Sequence, residues 1–206
     1  MNRMSYPVKF AVLNLIVIIP LFIQTWSLIS SIHSDIDLLE HERTGLQFIT
    51  KIRPLLESIP KHRGMTNAYL KGDAGFESRI NKLRESVNQQ LNELQLLAES
   101  LNDKINTVDR IKQIQNKWDE IVKASMTLTA QDSFLLHSEL VESLIELLSY
   151  IGITSEITLD SNPDSNNLGN ILLHQLPILT DNMGRSRGIA SGVAAEKKFT
   201  PEEFVK

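Results

Sequence analysis

Cysteine is absent from the 206 residues of this chain. Without a thiol, the chain cannot form a disulfide, hold a metal through thiolates or use a cysteine nucleophile. Glycine and proline are also scarce, at 9 and 7 residues. No segment shows the strict apolar–polar alternation that is typical of half-buried strands. These absences predict an all-α fold, built as a long antiparallel helical bundle.

Positive charge is not concentrated anywhere along the chain. Lysine and arginine number 21 against 25 aspartates and glutamates, which gives a net charge of −4. A nucleic-acid-binding protein needs a basic patch, so we expect no nucleic-acid partner. Glycine-rich phosphate loops, nucleophile elbows and metal-ligand spacings are missing as well. We therefore expect no enzymatic activity, no cofactor and no metal site.

The N-terminal part carries one long apolar run. Residues 10–32 contain no charged side chain, and about 20 apolar residues in a helix suffice to cross a bilayer. Arg3 and Lys9 precede this run, whereas Asp35 and Asp37 follow it. Because positive residues stay on the cytoplasmic side, this order predicts a transmembrane helix with its N-terminus inside the cell.

The charge order divides the chain into three parts. Residues 1–9 are expected in the cytoplasm, residues 10–32 in the membrane, and residues 33–206 outside the cytoplasm. No small-x-small cleavage site follows the apolar run, which predicts an uncleaved anchor. The sequence Thr200-Pro201-Glu202-Glu203 resembles a helix start. The helical-bundle domain is therefore expected to be truncated at its C-terminal end.

The extracytoplasmic part has the apolar spacing of successive amphipathic helices. The first helix is expected to continue from the anchor to about Leu70, with a kink or break at Pro54 and Pro60. A turn at 72–75 precedes a second helix, from Glu77 to about Leu101. Its apolar residues recur every three or four positions and predict the seam of a helical hairpin or a coiled coil: Ile80, Leu83, Val87, Leu91, Leu94, Leu97 and Leu101. Because such seams exceed what one thin bundle buries, we expect a homodimer through the first helix and its partners. Three further helices are expected. The third helix of the bundle begins after Thr107, and the fifth is bent at Pro177.

Two segments place Arg-Gly after an amphipathic turn. One contains His62-Arg63-Gly64, and the other contains Arg187-Gly188. A guanidinium is a rigid planar fork of donors that matches a small planar anion bidentately, and glycine lets a helix or ligand approach the backbone closely. The alternative is that each arginine lies on a solvated face or pairs with a carboxylate such as Glu57 or Asp181. His62 is then a packed histidine.

The Arg-Gly segments belong to a longer pattern. It comprises residues 40–45, 62–64, 160–168 and 184–188, and it resembles the periplasmic sensory region of bacterial transmembrane receptors related to the nitrate- and nitrite-sensing domain. These receptors include chemoreceptors, sensor kinases and nucleotide-cyclase receptors. The resemblance implies a ligand-sensing domain for signal transduction or chemotaxis, with Arg63 and Arg187 on facing helices holding nitrate. Asn166-Asn167 stands where related sensors often carry aromatic residues.

Together these observations define a candidate ligand site of His62, Arg63, Gly64, Arg187 and Gly188. The two guanidinium groups are expected to carry no carboxylate partner and to lie about 5–8 Å apart, bridged by one anion. Arg185 is expected to be a surface or supporting charge. One alternative function stays open, a membrane-anchored helical scaffold that acts through coiled-coil contacts without a small ligand. The type of output domain is not identified by these residues.

Overall fold

The structure is a computed structural model that describes residues 5–101, 104–124, 127–158 and 163–196, without the side chains of residues 195–196. Every regular element within these ranges is helical, which confirms the all-α prediction. The helices are α1 (Tyr6–Leu70), α2 (Glu77–Ser100), α3 (Val108–Ala124), α4 (Ala130–Thr154), α5 (Pro163–Asn170) and α6 (Leu176–Glu196). A π-helical segment (Ile171–Gln175) joins α5 to α6, and a 3₁₀ turn (Ala74–Phe76) precedes α2.

Helix α1 ends at Leu70, as predicted, but it continues without a break through Pro54 and Pro60. Of the predicted kink or break at these prolines, the break is therefore wrong. Each proline removes only one backbone donor. Apolar residues around the prolines are fully buried, so packing against the rest of the bundle holds the backbone helical across them: Ile52, Leu55 and Ile59.

The chain divides into two compact units, residues 1–41 and 42–206. In the first unit, the large apolar side chains between Phe10 and Ile32 are exposed to the surroundings. Helix α1 is the one described helix that is long and apolar enough to cross a membrane, and its apolar stretch is not covered by protein. This is the segment for which the charge pattern predicts a membrane span.

The second unit contains one apolar core. The C-terminal half of α1 contributes Phe48, Ile52, Leu55 and Ile59 to it, and α2, α3 and α4 supply most of the remainder. Trp118 lies at the centre of α3, where its indole N–H donates to Asn88 Oδ1 at 2.6 Å. This bond satisfies the polar atom of a buried indole. The predicted stripes of α2, α3 and α4 thus face one another within one chain: Val87, Leu91 and Leu94 with Ile111, Ile114 and Ile121 and with Leu140, Leu144 and Leu148.

This packing corrects the predicted dimer seam on α2. Val87, Leu91 and Leu94 are buried in the core of their own chain, so they are not an exposed surface for a second copy. The three-and-four spacing of α2 is equally typical of an intramolecular bundle and of a coiled-coil dimer. In the structure, the apolar faces of α3 and α4 cover this face of α2 within the same chain, as in an intramolecular bundle.

The segment from α5 to α6 is irregular immediately before Pro177. The Leu176 N–H donates to the Ile171 carbonyl, five residues earlier, which is a π-helical bond. Proline has no N–H, and its ring crowds the carbonyl four residues before it, so the widened turn accommodates the predicted disturbance at Pro177. Large apolar side chains along this segment remain about half exposed: Leu168, Ile171, Leu172, Leu176, Ile178, Leu179 and Met183. We call this set the α5–α6 apolar stripe.

The turn predicted at residues 72–75 is confirmed. Gly72 has a φ of +111°, a conformation that favours glycine. The Asp73 carboxylate accepts a hydrogen bond from the Gly75 N–H at 3.0 Å and caps the 3₁₀ turn. The polar connection at 160–162 and the helix start at 200–203 lie outside the described residues.

Two leucines of α2 provide a test of this packing. Leu91 is 3% exposed and Leu96 is 56% exposed. We expect Leu91→Ala to lower the free energy of unfolding by about 2–5 kcal/mol, because it removes buried methyl groups and leaves a cavity. Leu96→Ala, on the same helix, is expected to change it by no more than about 0.5 kcal/mol. Denaturant unfolding of the full chain in detergent, followed by circular dichroism, measures both values. Equal losses in the two variants contradict the described orientation of α2.

Candidate functional site

Helices α1 and α6 approach each other at glycines. A Cβ placed on either Gly64 or Gly188 would lie 3.8 Å from the Cα of the other. The two backbones are therefore nearly in contact, as predicted for these glycines. Gly188 belongs to a row at four-residue intervals on α6, with Gly184 before it and Gly192 after it. Four-residue spacing places all three on one helix face, and this face lies against α1.

Side chains of α1 and α4 fill the space that this glycine row leaves open. A Cβ on Gly188 would lie 2.8 Å from the Phe134 ring of α4. A Cβ on Gly184 would lie 3.2 Å from Nη2 of Arg63, and a Cβ on Gly192 would collide with the side-chain amide of Asn67. That amide donates from Nδ2 to the Gly188 carbonyl at 2.8 Å. The row therefore makes room for an arginine and an asparagine between two helices in close contact.

Arg63 is fully buried, with 0% of its surface exposed. Its Nη1 donates to Ser138 Oγ at 3.1 Å, and the Ser138 hydroxyl donates in turn to the Phe134 carbonyl at 2.8 Å. The Phe134 ring lies 5.0 Å from the guanidinium carbon, within cation–π range. Helix α4 therefore supplies one polar and one aromatic partner to this cation.

The charge of Arg63 is balanced by Asp181 of α6. Arg63 Nη2 lies 2.9 Å from Asp181 Oδ1, and the Asp181 side chain is only 6% exposed. Nevertheless, neither of these two buried atoms makes a hydrogen bond of acceptable geometry, and Arg63 Nε also lacks one. The contact is a close ion pair with unused hydrogen-bonding capacity on both sides. Burial lowers the pKa of Arg63, but a guanidinium remains protonated in proteins.

Asp181 has a second cationic partner. Its Oδ2 accepts from Nε of Arg185 at 2.7 Å, one helical turn further along α6. The Nη2 of Arg185 donates to Glu142 Oε1 at 2.6 Å. Charges of alternating sign thus run from Arg63 through Asp181 and Arg185 to Glu142. Arg185 is the supporting charge that the sequence predicts.

Arg187 has a different environment from Arg63. It is exposed, and its side chain makes no ion pair or hydrogen bond within the described part of the chain. The expectation that both arginines lack a carboxylate partner is wrong for Arg63. The reason is that Asp181 lies two turns before Gly188 on α6 and faces the same way, so the crossing that brings α6 to Arg63 also brings a carboxylate. Joint anion binding by Arg63 and Arg187 stays a prediction.

His62 is a packed histidine held by other bundle residues. His137 uses Nδ1 to donate to the Ser133 carbonyl at 2.6 Å, which leaves its Nε2 as an acceptor. The Nδ1 of His62 lies 2.8 Å from that Nε2 and therefore donates to it. The other ring nitrogen of His62 is buried without a hydrogen bond, and its ring meets the edge of Trp118 at 4.9 Å.

Both histidines are held neutral. Burial lowers the pKa of His62 to about 3, with further lowering by His137 and Arg84. Burial also lowers the pKa of His137 to about 4, where the hydrogen bond to the Ser133 carbonyl opposes the shift and Arg63 adds to it. A neutral pair can share one N–H···N bond, whereas two imidazolium rings would repel each other.

An open depression of about 320 Å³ lies between α4 and α6. Its charged lining residues are Glu142, Glu146, Asp181 and Arg185, with Ile145, Ile178 and Asn182 completing the wall. Three carboxylates against one guanidinium give it a negative balance, which does not suit an anion. In the described ranges, no group of three histidines or carboxylates has metal-binding geometry.

Some of these residues can be found from the sequence and others cannot. Asp181 is among the predicted carboxylate partners of an arginine. Gly184 and Gly192 are not among the predicted site residues, although their four-residue spacing from Gly188 is visible in the sequence. No local pattern in the sequence points to the three partners from α4, because they lie more than seventy residues from Arg63: Phe134, Ser138 and His137. Only the packing of α4 against α1 and α6 brings them to the site.

Comparison with known proteins gives one result. The family model for nitrate and nitrite sensing matches residues 54–206, a range that includes Arg63, Arg187 and most of the bundle. No curated protein and no solved structure is significantly similar to the chain.

The buried histidine pair predicts a pH dependence of stability. Because both folded pKa values lie below the ordinary 6.5, the unfolded chain binds more protons than the folded chain between about pH 4 and 6.5. The free energy of unfolding is therefore highest above pH 6.5 with respect to these two groups. It decreases as the pH falls below 6.5, by up to about 1.4 kcal/mol per pH unit for each histidine. Denaturant unfolding of the full chain at successive pH values measures this slope.

Two substitutions separate this pair from other acid effects. His137→Asn keeps a donor for the Ser133 carbonyl but removes a titrating ring, so the slope should fall by about one histidine's share. His41→Asn, at an exposed position of α1, should leave the slope unchanged. If His137→Asn retains the full slope, the histidine pair is not its source.

Proposed function

We propose that this chain, which belongs to the nitrate- and nitrite-sensing family, is the ligand-sensing part of a transmembrane signalling receptor. Its ligand is a small planar anion of the nitrate or nitrite type. Residues 10–32 anchor it in the bacterial cell membrane, and residues 33–206 lie outside the cytoplasm. The family match over residues 54–206 supports a sensory role, and the exposed apolar stretch of α1 supports the anchor.

The burial of the Arg63 guanidinium is the main observation that supports a small planar anion as the ligand. The guanidinium lies at the crossing of α1 and α6, and its Nε and Nη2 make no hydrogen bond. Unsatisfied buried donors are rare in folded proteins. Nitrate offers three coplanar acceptor oxygens, and a guanidinium offers parallel donors in one plane. An anion that replaced Asp181 beside Nη2 could accept hydrogen bonds from both of these donors.

Arg187 is the proposed second arginine of the site. It follows Gly184 by three residues, less than one helical turn, and Gly184 faces Arg63. Its side chain makes no hydrogen bond or ion pair within the described ranges, so moving it toward a ligand breaks no such bond. Gly64 and Gly188 contribute by permitting the close helix crossing. His62 contributes through packing, because its Nδ1 already donates to His137.

A homodimer is also part of this proposal, with its interface on the α5–α6 apolar stripe rather than on α2. The stripe's seven side chains are each about half exposed, and helices that present such a row commonly pack against another helix. A two-fold dimer would place the same stripe of both copies face to face.

The first test is direct nitrate binding by the full chain in detergent. We expect heat of binding in titration calorimetry with sodium nitrate and a rise in melting temperature relative to sodium chloride at equal ionic strength, because a ligand that binds only the folded state stabilises it. Arg187→Ala should weaken binding at least about tenfold. Arg63→Lys should weaken it similarly, since lysine keeps the charge but loses the planar fork.

The matched control is Arg53→Ala, which removes an exposed arginine of α1 and should leave nitrate affinity unchanged. Absence of nitrate binding by the unaltered chain contradicts the proposed function and favours the membrane-anchored scaffold. Equal weakening by Arg53→Ala and Arg187→Ala indicates a general charge effect and contradicts the assigned site.

The absence of cysteine makes the dimer proposal testable by disulfide formation. A single Leu172→Cys substitution introduces a thiol on the α5–α6 apolar stripe, and mild oxidation in membranes should then yield a covalent dimer. Leu96→Cys places a thiol on an equally exposed position of α2 and should yield little. A dimer through another face is indicated if Leu96→Cys crosslinks as efficiently as Leu172→Cys.

A further inference from the structure

The partner of Arg63 in this structure has the same acceptor geometry as the proposed ligand. A carboxylate, like nitrate, is a planar, delocalised anion whose oxygens accept parallel donors of a guanidinium. Asp181 Oδ1 lies 2.9 Å from Arg63 Nη2, where an oxygen of a bound anion would lie. Because Asp181 already occupies this position at Nη2, an anion bound to the same nitrogen would take the place of the carboxylate.

The contact between Arg63 and Asp181 is close but incompletely bonded. Both groups are buried, and the two facing atoms make no hydrogen bond. A buried ion pair offsets its desolvation cost only when good geometry and hydrogen bonds accompany the attraction. This pair lacks part of that compensation, so it is easier to replace than a bidentate pair.

Asp181 also has an alternative position that would not leave it unpaired. Its Oδ2 already accepts from Arg185 Nε at 2.7 Å, and Arg185 is anchored by Glu142 at 2.6 Å. In addition, Asp181 lines the open depression between α4 and α6. On leaving Arg63, the carboxylate would keep one cation and regain water.

From these contacts we propose that Asp181 is a tethered competitor that occupies Arg63 in the absence of ligand and sets the anion concentration at which the site responds. This proposal rests on the proposed function and adds its regulation. A tethered group is present at a high effective concentration, so a free anion binds only when it exceeds this internal competition. Arg185 assists binding by holding the displaced carboxylate.

The test compares nitrate titrations of the full chain and of Asp181→Asn, which keeps the side-chain shape and removes the charge. We expect the Kd for nitrate to fall at least about tenfold in Asp181→Asn, which corresponds to about 1.4 kcal/mol. Asp119→Asn is the matched control, because it removes the same charge at an exposed position of α3 and should leave the Kd unchanged.

A second arm remains informative if Asp181→Asn does not fold. Arg185→Gln removes the alternative partner of Asp181 and should raise the Kd at least about threefold, because the carboxylate then returns more readily to Arg63. When Asp181→Asn does fold, the same Arg185→Gln change made in its background should leave the Kd nearly unchanged. That non-additivity shows that Arg185 acts through Asp181.

The outcomes separate this proposal from the proposed function. Nitrate binding by the unaltered chain together with an unchanged or higher Kd in Asp181→Asn overturns the competitor role alone. Equal effects of Asp181→Asn and Asp119→Asn also overturn it, because they indicate a general charge effect. If Asp181→Asn does not fold, an unchanged or lower Kd in Arg185→Gln overturns the competitor role. Failure of both the unaltered chain and Asp181→Asn to bind nitrate overturns the proposed function and the competitor role together.

Discussion

Arg63 carries a permanent charge at a fully buried position, and much of the arrangement around it follows from that constraint. A buried cation needs a counter-charge and hydrogen-bond acceptors, and these come from two other helices: Asp181 from α6 and Ser138 from α4. The ion pair joins α1 to α6, and the hydrogen bond to Ser138 joins α1 to α4, so Arg63 links three helices. Its incomplete hydrogen bonding leaves Nε and Nη2 of the guanidinium without a hydrogen bond in the described part of the chain.

The glycines allow this charge to sit between helices in near contact. Gly64 and Gly188 bring the two backbones together, and Gly184 leaves room for the guanidinium. A β-carbon at Gly184 would lie 3.2 Å from Arg63 Nη2, so the arginine would have to move. Close crossing and a buried cation are therefore compatible because α6 carries glycine at positions 184 and 188.

The histidine pair adds a second polar contact between α1 and α4. His62 and His137 share one N–H···N bond, and the Ser133 carbonyl fixes which nitrogen of His137 carries the proton. Arg63, the next residue to His62, lowers the pKa of His137 further, so the charged pair and the neutral pair depend on each other. The neutral state of the histidines keeps additional positive charge away from Arg63.

Local periodicity, charge and motif were sufficient to predict the helical class, the long apolar stretch of α1, the bounds of α2 and the Arg-Gly segments. Which helix faces are covered depends on contacts between distant segments, and these are visible only in the folded chain. Leu91 and Leu94 face α3 and α4 rather than a second copy, and the prolines of α1 are accommodated by packing. The pairing of Arg63 with Asp181 also required the fold, because no local pattern fixes which carboxylate a distant helix brings to a buried arginine.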